Sequence, residues 1–95
     1  MPVFIAVPLV NDSTNLDNAV TNTVENNSRY KLPSNRGWLI SFEGTTVELC
    51  NHIGLTGQPA GVQSLVGSAI VSPISAYYGI GSSDMWEWLK IRFEQ

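Results

Sequence analysis

The sequence is short of the groups that carry most protein chemistry. Among its 95 residues it holds one cysteine, Cys50, and one histidine, His52. A single thiol excludes an intrachain disulfide framework, so a chain of this size must rely on its core or on self-association for stability. Charged residues make up only 14% of the chain, against roughly 25% in an average soluble protein. Five are basic and eight acidic, giving a net charge of −3 and an isoelectric point near 4.8. That balance excludes a broad cationic surface, because phosphate and anionic lipid are met by clustered Lys and Arg. No apolar run approaches the roughly 18 residues of a membrane span, and Met1-Pro2-Val3-Phe4 places no positive leader ahead of the first apolar run. We therefore expect neither a transmembrane helix nor a signal peptide, no membrane partner, and a cytoplasmic location.

What is present is an ordinary apolar fraction, 43%, enough to offset the entropy of ordering and to exclude disorder. The place of charge is taken by neutral polarity, with eight Asn and many Ser, Thr and Gly. The length predicts one domain spanning residues 1–95.

Val3 to Val10 is apolar on both alternating faces, which predicts a central strand with Pro8 near its end or at a bulge. Asp12, Ser13 or Thr14 then caps a helix carrying Leu16, Val20 and Val24 at i, i+4 and i+8. Arg29–Leu32 and Trp38–Glu43 flank the turn residues Pro33-Ser34-Asn35-Arg36-Gly37 and read as a hairpin. Thr45 and Glu48 have capping-box spacing, predicting a second helix that ends at Gly54. Gly54–Ser68 reads as a long loop, mobile or functional. Ala69–Tyr78 reads as a last strand, which Pro73 places at a sheet edge. Ser82, Ser83 and Asp84 cap a terminal helix striped with Met85, Trp86, Leu89 and Phe93 and broadened by Trp88 and Ile91. The order β-α-β-β-α-β followed by one helix predicts an α+β, ferredoxin-like fold: a four-stranded antiparallel sheet with an additional C-terminal helix.

Catalytic constellations are scarce. Cys50 and His52 are two apart, about 200° around a helix, and cannot readily share a site. One of each does not make a zinc site without distant carboxylates or a second chain. We read Cys50 as a small apolar residue and His52 as a surface or dipole-complementing group. Gly79-Ile80-Gly81-Ser82-Ser83-Asp84 lies between strand and helix, where amides could cradle phosphate, but Asp84 stands where the third glycine of a dinucleotide fingerprint would be and no P-loop lysine follows. A turn with a helix cap is the simpler reading. Arg29, Lys31 and Arg36 fall on the hairpin beside Tyr30 and Trp38, a candidate anion or RNA contact, or simply a charged edge that discourages strand addition. The terminal helix carries more apolar surface than one docking stripe needs, so Trp86, Trp88 and Ile91, with Phe4 and Leu39 on the sheet face and the Gly54–Ser68 loop, form the candidate interaction surface. Phe4, Ala6 and Val10 are expected on that face with Leu39, covered by the terminal helix in cis and in part by a second copy.

The element order, the two-faced first strand and the Gly-rich stretch after the last strand resemble the small ferredoxin-like proteins related to the CRISPR-associated integration-complex nuclease and the VapD toxin. Members that cleave nucleic acid carry an acidic residue at the end of the first strand as metal ligand, typically in a Tyr-Asp pair. Here that segment is Val7-Pro8-Leu9-Val10-Asn11-Asp12, with Pro8 and Leu9 where the pair would fall, and Asp12 reads better as a helix cap than as a displaced ligand. The resemblance implies self-association more readily than catalysis. The expectation is a non-catalytic, homodimeric binding protein with a protein partner, no cofactor, no catalytic residue and no metal. The alternative is a metal-dependent nuclease or RNA-binding protein using Asp12 with Arg29, Lys31 and Arg36. A third reading is small-molecule binding between the sheet and the long loop.

Overall fold

The computed structural model describes residues 2–64, 66–75 and 82–93. Strands β1 (Val3–Pro8), β2 (Arg29–Lys31), β3 (Trp38–Ser41) and β4 (Ala69–Ile74) alternate with helices α1 (Thr14–Thr23), α2 (Thr46–Ile53) and α3 (Ser83–Phe93) in the order β1-α1-β2-β3-α2-β4-α3. All three strand pairings are antiparallel, in the sheet order β2-β3-β1-β4. The described residues thus form a small α+β structure with one four-stranded antiparallel sheet and three α-helices. Strands are shorter than expected: β1 stops at Pro8, β3 at Ser41 and β4 at Ile74. Tyr77, Tyr78 and the Gly79-Ile80-Gly81 stretch lie outside the described residues.

The two strand prolines sit where the ladder tolerates them. The Leu9 amide donates to the Ser68 carbonyl at 2.9 Å, so with the β1–β4 register the exchanging pairs are Val7 with Ile70, Ile5 with Ser72 and Val3 with Ile74. Pro73 falls between exchanging pairs, and its nitrogen faces the free edge. Pro8 faces β4 from a likewise non-exchanging position, at the end of β1.

Local chemistry sets the helix limits. The Thr45 hydroxyl accepts the Glu48 amide at 3.1 Å while the Glu48 carboxylate accepts the Thr45 amide at 2.9 Å, completing the expected capping box of α2. Gly54 ends that helix in the left-handed region, at φ 84°. The Ser82 hydroxyl accepts the Met85 amide at 3.2 Å at the start of α3. Gly37, at φ 129°, packs so close to β1 that a methyl there would collide with the Ala6 carbonyl oxygen.

Each face of the sheet has its own helical cover. Phe4, Ala6, Trp38 and Ile40 pack under α1 and α2 with Leu16, Val20, Leu49 and Ile53. Val3 and Leu39 pack under α3 with Leu89, and Ile5, Tyr30, Met85, Trp86 and Trp88 are half-buried around them. The terminal helix therefore does cover the second face in cis. The residues expected on that face need correction, however. The β1–β3 register pairs Phe4 with Ile40 and Ile5 with Leu39, and directly opposite residues share a face. Phe4 and Ala6 consequently lie beneath the internal helices, on the opposite side from Leu39, and Val10 lies beyond the strand, exposed. No helix among the described residues is long and apolar enough to cross a membrane.

Candidate functional site

The expected surface residues divide. Trp86 and Trp88 are half-buried against the sheet, Trp88 beside Tyr30 with ring centroids 6.1 Å apart and the Arg92 guanidinium 4.9 Å from its ring centre. Phe4 and Leu39 are 2% and 4% exposed, inside the two cores rather than on a surface. Of this group Ile91 alone is open, at 45%.

The hairpin cations are largely engaged within the chain. Antiparallel register puts Arg29 and Lys31 on the face of Ile40 and Trp38, and Tyr30 on the other. The Arg29 guanidinium donates to the Thr21 carbonyl at 3.3 Å and to the Val24 carbonyl, supplying at the C-terminus of α1 the positive charge that the last turn of this helix lacks. The Lys31 ammonium lies 3.5 Å from the Asp17 carboxylate and 5.8 Å from the centre of the Trp38 ring. Arg36 remains exposed in the hairpin turn. The trio thus does not converge on one outward anion site.

Asp12, the residue named for a metal, accepts both the amide and the hydroxyl of Thr14, at 2.9 and 2.5 Å. The hydroxyl bond first, then the amide bond, holds its carboxyl below the ordinary aspartate value. No three His, Cys, Asp or Glu side chains gather among the described residues. His52 donates from Nε2 to the Thr23 carbonyl at 2.8 Å and lies tilted against the Phe42 ring, with centroids 5.4 Å apart. It therefore fastens α2 to the end of α1, complementing the neighbouring helix rather than its own. Burial pushes the Cys50 thiol up from its ordinary value.

The concavity with the most consistent chemistry lies beside the long loop, between it and α1 rather than between it and the sheet as the third reading had it. Between α1 and the segment after α2 is a cleft of about 490 Å³. Its floor comes from the core: Ile53 and Val66 are buried and Ala19 is half-buried. Asn15, Asn18 and Asn22 stand along one side, Gln58, Val62 and Gln63 along the other. The far wall is tied down through a carbonyl that the end of α2 leaves without a helical partner. The Gly54 oxygen accepts the Gln58 carboxamide at 2.6 Å and the Ser64 hydroxyl at 3.1 Å, and that hydroxyl accepts the Val66 amide at 3.1 Å. A string of bonds thus fixes the loop and sets Val66 as its plug. A smaller depression of about 350 Å³ holds His52 with Glu25 and Glu43, but the Nε2 proton of His52 is already committed to Thr23.

Sequence reasoning missed this cleft because it assigned the neutral polar residues to caps, turns and the loop. The available signal was Asn15, Asn18 and Asn22 at i, i+3 and i+7, a carboxamide stripe beside the apolar one. In comparison with protein-family models, curated proteins and solved structures, the chain matches none.

Proposed function

We propose that the protein is a non-catalytic binding domain of the ferredoxin-like arrangement, taking its ligand in the cleft between α1 and the 54–66 segment. The single observation that carries the reading is this preformed concavity of about 490 Å³, walled by a bonded loop and floored by core side chains. Binding sites are concave, mostly apolar and largely preformed, with a few polar groups to orient the ligand. The ferredoxin-like assignment draws its support from the strand order β2-β3-β1-β4 and from α1 and α2 sharing one face of the sheet. The test is a melting-shift screen of metabolites and capped peptides, repeated on Asn18→Trp, which fills the cleft from its rim without touching the core. A stabilising ligand whose shift disappears in that variant is the expected result. Ligands that stabilise both proteins equally place binding elsewhere and sink the reading.

A second reading, homodimerisation, is favoured by a separate observation. Leu9, Val10 and Ile70 are 56%, 49% and 55% exposed where β1 and β4 meet, beside half-buried Val7, the cross-strand partner of Ile70. An apolar strip at a sheet edge suits a two-fold contact, in which one patch meets its own copy. Light scattering during size-exclusion chromatography should give a dimer that Ile70→Glu converts to monomer; a monomeric parent protein removes the reading. The alternative of a metal-dependent nuclease or RNA-binding protein rests on topological resemblance, and salt-sensitive RNA binding or cleavage with Mg²⁺ or Mn²⁺ is its test.

A further inference from the structure

We infer that the occupant of the cleft is an extended, uncharged peptide segment held by its backbone, an inference that rests on the reading of the cleft as the binding site. A carboxamide offers the same groups as a peptide bond, a carbonyl acceptor and N–H donors. Asn15, Asn18 and Asn22 lie on one side of α1, in a row about 10 Å long at 1.5 Å per residue. Three residues of extended chain, at about 3.3 Å each, cover the same length. The three carboxamides and that of Gln63 are exposed and make no hydrogen bond within the described residues, so their donors and acceptors are available to a ligand. A peptide entering the cleft would lose water from its own N–H and C=O groups, and the carboxamide row supplies replacement partners. Val62, at the rim, and the floor of Ile53 and Val66 would receive alternate side chains of small aliphatic size.

The remaining chemistry separates a peptide from other ligands of similar volume. None of the lining residues carries a formal charge, in a chain whose net charge is −3. Phosphate, carboxylate and ammonium groups therefore find no counter-charge in the cleft. No aromatic ring lines it among the described residues, so neither a nucleobase nor a sugar ring finds a stacking surface.

The experiment is a titration of the ¹⁵N-labelled full chain with acetyl-Val-Ala-Val-Ala-amide at up to millimolar concentration, following the backbone amide and side-chain NH₂ resonances. Recognition through the backbone tolerates many aliphatic sequences, so this probe suffices. Saturable shifts are expected at Asn15, Asn18, Asn22 and Gln63. Asn18→Ala and Asn22→Ala should each weaken binding about three- to tenfold, the loss of one net hydrogen bond. Both positions are exposed on the helix, and alanine favours helix, so folding is preserved. A peptide N-methylated at alternate amides should bind at least about tenfold more weakly. Shifts produced by adenosine, guanosine, cytidine or uridine but not by the peptide would overturn the inference while leaving the cleft a binding site. Peptide shifts confined to Leu9, Val10 and Ile70 would overturn it in favour of strand addition at β4. Silence with peptide and nucleosides alike, together with a melting screen that yields no cleft ligand, would remove both the inference and the reading beneath it.

Discussion

At the residue scale, Asp17 shows how a side chain on an amphipathic helix can be decided by its neighbours across the fold. One carboxylate oxygen accepts the Trp38 indole N–H at 2.9 Å, and the other accepts the Ser13 hydroxyl at 3.0 Å and faces Lys31 at 3.5 Å. Trp38 is 5% exposed, so Asp17→Ala leaves its N–H without an acceptor and should lower unfolding free energy by about 1–3 kcal/mol in urea titrations. The Lys31 pair adds little, because both side chains reach solvent. Lys31→Met should therefore change stability by less than about 1 kcal/mol. A second prediction concerns Asp12, whose folded value lies below the ordinary one because of Thr14. A lowered carboxyl stabilises the fold above the unfolded value and loses that contribution as pH falls through the folded one. In Thr14→Ala the Asp12 titration, followed by NMR, should move up toward the ordinary aspartate range. Neither arrangement was legible beforehand in full: capping chemistry at residues 12–14 could be read from residue types, but the bond from Trp38 joins positions 21 apart in sequence.

At the scale of elements, legibility followed locality. The capping box of α2 and its glycine terminus were readable because all their partners lie within one helix. The alternation of β1 was readable too, but not which of its faces Leu39 would share. That depends on the β1–β3 register, and a shift of one residue exchanges the faces. The loop after Gly54 looked structureless because its order comes from side chains bonding back to one carbonyl, a pattern without periodicity. Removing the cap by Thr45→Ala should lower stability by about 0.5–2 kcal/mol, measured by thermal or urea unfolding. Among the described residues, the layer under α3 buries Val3, Leu39 and Leu89. Leu89→Ala should therefore cost about 2–5 kcal/mol. It should also raise amide exchange in α3 well before exchange in β1 and β3 responds, because α3 would open locally.

For the whole molecule, two central strands serve two cores, one on each side of the sheet. Among the described residues, ten buried side chains gather on the side of α1 and α2, and three on the side of α3. The low charge noted in the sequence accordingly has two destinations: one part is a mostly apolar cleft bordered by carboxamides, the other an aliphatic strip where β1 meets β4. Composition could report that neutral polarity was abundant, and helical spacing gathers Asn15, Asn18 and Asn22 along one side of α1, but the facing wall required the docking of the loop. The Trp86 and Trp88 rings, which in sequence looked like surplus interface, are half-buried against the sheet of their own chain.

The sheet also ends differently on its two sides. β2 spans three residues, carries Arg29 and Lys31, and is flanked by a turn whose Asn27 carbonyl accepts Arg92 from α3. β4 spans six residues and ends the sheet with aliphatic side chains near its start and Pro73 near its close. The short, charged β2 margin therefore discourages strand addition more than the β4 margin does, where Pro73 withholds one donor only. Under the homodimer proposal, edge pairing through β4 would stop at two chains, since each added copy would present only its charged β2 margin, and the inequality of the two edges would then guard against open-ended filaments.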